Sequence, residues 1–319
     1  MITARLILSL VFFSEAARAG IPQDDGQKAI VAAPKDITDV TRGDKKALAR
    51  LEKPGKVVFE ADFERSDALD AFFEVRGKKD GRAKLVFDAK IAHRGRGVFQ
   101  CTAPDKQGAS SGAGASAWLG KKGYERLYLR RYIRFAKDYD QGNLNHTGGG
   151  LSGVATNGKW DGMGKAGLRP RGDDRFSSRF EPWKDWGRSA APGYMFLYTY
   201  WMDMTRDRDG NYWGNMLQPK KSARIVPKRD RWVCLEQMIQ CNRPGKFDGE
   251  CAAWIDGKLY MHMSGIRWRS SEKLRIKRFE IGIYIHQARR DNRVYYDDVV
   301  VSTGYVGLAS TPIKRVERR

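Results

Sequence analysis

Two tyrosines, Tyr198 and Tyr200, lie two residues apart in the run Tyr194-Met195-Phe196-Leu197-Tyr198-Thr199-Tyr200-Trp201. If that run is a strand, both phenols point to one face, because strand side chains alternate. Upstream, Arg179 stands in Phe176-Ser177-Ser178-Arg179-Phe180, and a planar guanidinium can hold a carboxylate through two parallel bonds. Earlier still, His146 lies in a Gly-rich segment spanning residues 142–153. Imidazole is the side chain best suited to general-base work near neutral pH. A phenol beside an Arg charge is a second candidate base. Such a set can move a proton at an anionic substrate while the cation stabilises the negative charge that develops.

Other residues invite competing chemistry. Glu60, Asp62 and Glu64 stand at i, i+2 and i+4, one strand face, a spacing that suits the acid/base pair of a retaining glycosidase. The same carboxylates, with Asp297 or Asp298, could supply hard oxygen ligands to a structural Ca²⁺, or be simple edge charge. Arg267, Arg269, Lys273, Arg275, Lys277 and Arg278 alternate with apolar residues, as a polyanion track or a solvated sheet face would. Trp160, Trp183 and Trp186 lie among Gly and Arg, a composition suited to stacking on sugar rings or to core burial. The Gly-rich segment matches neither GxGxxG before a helix nor a P-loop, so it is expected to be a loop that lets backbone approach a ligand.

The elements that must position these groups are strands. Period-two runs rich in aromatic and β-branched residues start at Val57, Leu127, Tyr194, Trp232, Ala252 and Phe279. No long amphipathic helix pattern is present. The expected fold is all-β, an antiparallel sandwich or jelly roll over residues 56–307 with few short helices. Residues 20–55 read as a polar arm or linker, and 308–319 as a basic tail. In residues 1–19, Arg5, an apolar run from Leu6 to Phe13 and Ala17-Arg18-Ala19 have the layout of a secretory signal, which predicts a secreted or periplasmic protein without a membrane span.

The chain has 319 residues and a formal net charge of +21, with 41% hydrophobic residues. That is enough apolar mass for a large core and excludes a mostly disordered chain. A basic surface concentrates anions; export argues against nucleic acid and towards an extracellular polyanion. Of the four cysteines, Cys241 and Cys251 flank a hairpin-like loop and form the expected disulfide, the alternative being free buried thiols.

The order of these pieces resembles the jelly-roll polysaccharide lyases of the alginate and glucuronan lyase type, family fourteen and its relatives in the concanavalin A-like superfamily. The resemblance is carried by the strand Tyr128–Phe135, Gly150-Leu151-Ser152-Gly153, Phe176–Phe180, Tyr198-Thr199-Tyr200, Trp254-Ile255-Asp256-Gly257 and Tyr295–Val301. It implies β-elimination on a uronic-acid polymer, with His146, Arg179, Tyr198 and Tyr200 as the catalytic set. Where the family pattern has a Lys before Gly-Leu-x-Gly, the nearest polar candidate here is His146. Asn145, Trp183, His286 and Gln287 are the expected substrate contacts. No cofactor is required, a structural Ca²⁺ aside, and the expected partner is an anionic polysaccharide, alginate, glucuronan or a sulfated glycan, bound by a monomer. The alternative from another class is a non-catalytic glycan-binding jelly roll.

Overall fold

The alternating runs pair into two antiparallel sheets. The computed structural model describes residues 33–105, 111–142, 145–286 and 288–309; the segment expected to be a signal, the first part of the arm and the tail beyond Ala309 lie outside them. The first sheet runs β1 (Lys35–Asp36), β14 (Lys258–Ile266), β13 (Gly249–Ile255), β12 (Trp232–Gln240), β7 (Arg126–Phe135), β16 (Asn292–Ser302), β5 (Gly97–Ala103) and β4 (Ala83–Phe87), with β2 (Val57–Ala61) also on β16. The second runs β11 (Asn215–Leu217), β10 (Tyr194–Tyr200), β9 (Arg175–Trp183), β8 (Asn145–Val154), β15 (Arg275–Ile285), β6 (Ala113–Trp118) and β3 (Glu74–Arg76). Chain neighbours such as β6 and β7, or β15 and β16, belong to different sheets, so the chain crosses the sandwich repeatedly in jelly-roll fashion.

The inward faces close on one apolar core. Phe279 of β15 meets Phe59 of β2 edge-on at 4.8 Å, a contact between the sheets, and Phe72 at 6.0 Å. Packing of this kind, more than backbone bonding, joins two sheets that share no ladder.

Three expectations are corrected. The Gly-rich segment is not a loop: Asn145–Val154 is β8, between β9 and β15 in the second sheet. Its glycines permit close approach of strands, since a Cβ at Gly150 would lie 2.3 Å from the Ser178 carbonyl oxygen of β9. The described part of the arm is not a loose linker. It forms two short helices, α1 (Thr38–Gly43) and α2 (Lys45–Leu51), with Asp44 capping the second through Lys46 N at 2.8 Å. Leu51 joins Tyr128, Met238 and Trp254 in a second apolar cluster, and Arg42 donates to Leu259 O, so the helices cover an apolar part of the first sheet. Finally, all four cysteines are free and buried. The hairpin between β12 and β13 exists, but its register pairs Cys251 with Ile239 rather than Cys241. The offset is diagonal, about 7 Å in such ladders, and a disulfide needs Cβ atoms about 4 Å apart.

Candidate active site

On β9, Phe176 and Phe180 enter the core while Arg179 and Trp183 turn outward. Register then fixes their neighbours. Tyr198 of β10 stands directly opposite Arg179, and Tyr284 of β15 opposite His146 of β8. The four catalytic candidates therefore meet on one outward face of the second sheet, drawn from three adjacent strands.

Their contacts centre on Glu181, a residue outside the motifs that suggested the site. One carboxylate oxygen, Oε1, lies 2.9 Å from His146 Nδ1, and the other accepts from Arg179 Nε at 3.1 Å. Although on the outward register, Glu181 is only 1% exposed, roofed by the groups it holds. As the carboxylate can only accept, a hydrogen is assigned to Nδ1, which in the neutral ring leaves Nε2 as the acceptor. The rule that could have found Glu181 is plain: at i+2 from Arg179 it shares the same strand face.

Arg179 has a second carboxylate partner, Glu280 of β15. Arg278, 4% exposed, donates to Lys159 O and Asp161 O with Glu74 near by. On this face the guanidinium groups are thus matched by carboxylates.

The tyrosine hydroxyls lie 3.4 Å apart, and Tyr198 OH also accepts from Gly214 N at 2.9 Å. Burial, followed by the neighbouring Tyr200, pushes the Tyr198 phenol well above its ordinary value. This direction is opposite to the one expected from a neighbouring Arg charge, and it favours the protonated phenol. The His146 ring packs 4.9 Å from Tyr198 and stacks on Tyr284 at 6.3 Å.

The remaining expected contacts divide. His286 joins the face, its ring 6.1 Å from His146 and 4.7 Å from Tyr284. Although exposed, its imidazole is held below the ordinary value by desolvation among these rings and by His146. Trp183 lies at the end of the same strand row, against Tyr194 and Phe196. Asn145 is 8% exposed and, one residue from His146, faces the other way, donating to Pro182 O at 3.4 Å. Gln287 lies outside the described residues.

Support comes from behind. Gln237 of β12, in the first sheet, accepts from Phe180 N at 3.1 Å and donates to Ser178 O at 3.0 Å. Arg131 of β7, wholly buried, donates to Phe180 O at 2.6 Å. Desolvation lowers its guanidinium to about 10.

The other sets do not join the site. Glu60, Asp62 and Glu64 belong to β2 and its end, in or beside the first sheet, and Glu64 accepts from Arg96 N and Gly97 N. Among the described residues the one trio of acidic, His or Cys ligand atoms within 4.8 Å of one another is His93, Asp297 and Asp298. Asp298 is already engaged by Arg94 and by His93 Nδ1 at 2.8 Å. Desolvation opposes its ionisation, yet those two bonds hold its carboxyl down at about 2. Most of the basic alternation is spent on structure: Arg267 pairs with Asp203, Arg269 and Arg275 with Glu125, and Lys277 donates to Thr156 O.

The family model described as Polysaccharide lyase 14 matches residues 92–286. Among solved structures the chain is similar to the marine PL-14 alginate lyase from Aplysia kurodai, at 14% identity and a TM-score of 0.59 over 78% of this chain and 99% of that one. Alginate lyase vAL-1 from Chlorella virus matches at 16% identity and a TM-score of 0.57, over 78% and 100% of the two chains. Alginate lyase Aly36B matches at 15% identity and a TM-score of 0.51, over 79% and 98%. At such identities the likeness is one of fold. No curated protein matches the chain.

Proposed function

The chain belongs to the polysaccharide lyase 14 family, and from that premise we propose that it is an exported lyase cleaving an anionic uronate polysaccharide by β-elimination. The observation that supports this reading most is that His146 and Arg179 converge on one buried carboxylate, with the hydrogen-bonded pair Tyr198 and Tyr200 beside them on the same face.

In the proposed step Arg179 holds the uronate carboxylate and stabilises the enolate-like charge. His146 Nε2 takes the proton α to that carboxylate. The freed electron pair forms the new carbon–carbon double bond as the bond to the glycosidic oxygen breaks, and Tyr200 protonates the departing oxygen. Tyr198, kept protonated by burial, hydrogen-bonds Tyr200 from behind. The cycle closes when the proton returns from His146 to Tyr200. No metal is needed in this scheme, and we assign the counter-charge of Asp298 to Arg94 rather than to Ca²⁺.

A second reading, a glycan-binding protein without chemistry, is favoured by one observation: Glu181 and Glu280 already occupy donors of Arg179. The experiment that separates the two incubates the protein with alginate, β-1,4-glucuronan and a sulfated glycosaminoglycan and follows unsaturated-uronate absorbance. The lyase reading expects product from at least one polymer, lost in Tyr200→Phe with binding retained. Binding without product from any of them would leave only the second reading.

A further inference from the structure

The turn joining β9 to β10 holds Trp186 where folding alone gives no reason to put it. Trp186 is 61% exposed, and its backbone is left-handed at φ 55 and ψ 34. Asp185 before it is left-handed too, at φ 50. Two consecutive side chains in that region are disfavoured, and Gly would relieve either. The surroundings nevertheless hold the turn in this shape. Asp185 accepts from Arg224 Nη1 at 3.2 Å, and Arg224 lies 3.9 Å over the Tyr194 ring and also donates to Gln218. Lys184 is tied to Asp140 at 2.6 Å.

The indole lands beside the candidate site's own row. Trp186 meets Trp183 edge-on at 6.3 Å, and Trp183 shares the outward register of β9 with Glu181 and Arg179. From Arg179 to Trp183 the strand advances about 13 Å, so the aromatic pair begins where a chain crossing the site would need its next support. An exposed indole offers a flat apolar face to the C–H face of a pyranose ring. The adjoining Arg188, whose side chain is 72% exposed, suits a ring that carries a carboxylate.

We propose that Trp186 is a distal stacking subsite that holds a sugar ring of the same anionic polysaccharide, beyond the residues bound at the reacting centre. This rests on the uronate-polymer reading above and adds to it a place along the polymer. Trp186 would then set preference for long chains over short ones and take no part in bond cleavage.

The test titrates the whole protein with long-chain alginate and β-1,4-glucuronan and with their disaccharides, reading intrinsic tryptophan fluorescence and, independently, calorimetric heat. Trp186→Ala is expected to weaken long-chain affinity about tenfold, the weight of one aromatic contact, and to leave disaccharide affinity unchanged. Trp186→Phe should keep most of the long-chain affinity. Trp186→Gly, which removes the left-handed strain, should bind as weakly as Trp186→Ala while its Tm equals or exceeds that of wild type. Unchanged long-chain affinity in Trp186→Ala, or a lowered Tm in Trp186→Gly, would overturn the proposal by making Trp186 a spectator or a structural residue. Should the wild-type protein bind neither polymer, the parent reading falls and takes the subsite with it. Wild-type binding with an indifferent Trp186→Ala sinks the subsite alone.

Discussion

Glu181 holds His146 through a 2.9 Å contact to Nδ1 while almost wholly shielded from water. Its second oxygen is on Arg179, so one side chain sets the orientation of both the proposed base and the proposed carboxylate clamp.

Glu181→Gln is therefore expected to act on the chemical step. The amide keeps the shape but offers one acceptor and one donor, so either His146 loses its acceptor or Arg179 faces a donor. A fall in kcat of about 10–100-fold with a smaller change in KM is expected, by analogy with other residues that orient a catalytic imidazole. Equal loss of kcat and of Tm would instead mark Glu181 as a fold-stabilising group.

Glu280 pairs with Arg179 and, in the proposed reaction, would compete with the substrate carboxylate for it. Replacing it with Gln removes a negative charge beside the point where a uronate carboxylate would dock. Like charges at close range oppose binding. The expected outcome is a KM for uronate polymer about threefold to tenfold lower, with the gain shrinking at high salt as charge effects are screened. A raised KM in steady-state kinetics would show that Glu280 helps to bind the substrate.

Two buried carboxyls should tilt stability with pH. Burial and the charge of Asp298 push Asp297 up to about 7, and burial pushes Glu236 up to about 7 against the pull of Val306 N and Gly307 N. Both hold a proton more tightly folded than unfolded. Their contribution is complete below an ordinary carboxyl value near 4 and is lost as pH rises through about 7. Moving from pH 5 to pH 8 should cost on the order of 5 kcal/mol for the two groups together, or roughly 10 °C in Tm. Asp298 stays ionised throughout that window. Thermal melts of Asp297→Asn should show a shallower slope; an identical slope would rule Asp297 out as the source.

Arg94 should carry a load that a cation would otherwise carry. Removing it with Arg94→Ala leaves Asp298, 5% exposed, with the His93 Nδ1 contact and the more distant Arg130 charge. A loss of about 3 kcal/mol in chemical denaturation is expected, and a chelator should leave the wild-type midpoint unmoved. A drop on chelation would mean that a metal ion shares this carboxylate cluster.

Strand existence was plain from the sequence because alternation is strong where one face is buried. Predicted runs at Leu127 and Trp232 became β7 (Arg126–Phe135) and β12 (Trp232–Gln240) within a residue or two. β8 was missed for a physical reason: glycine has no strand propensity of its own. There it is needed because neighbouring strands come too close for a Cβ. The docked helices were hidden by their polar composition, since only Leu51 of α2 is buried. For the site, the Tyr-x-Tyr spacing and Arg179 placed three of four side chains correctly on a face. The tie of Glu181 to Arg179 is legible as an i+2 pair on one strand, but those of Glu181 to His146 and of Glu280 to Arg179 are not, because they depend on register between strands 35 and 101 residues apart along the chain. The same holds for Asp298, whose Arg94 partner sits on a distant turn.

Gln237 and Arg131 reach through the sandwich to grip the backbone of β9, not its side chains. A strand fixed by its amides and carbonyls is indifferent to what it displays on its far side. Trp183, at the end of the outward row, can then be exchanged without disturbing the platform that carries it. In the proposed reading, that separation makes the outward end of β9 beyond Glu181 the natural place to vary when a new specificity is sought.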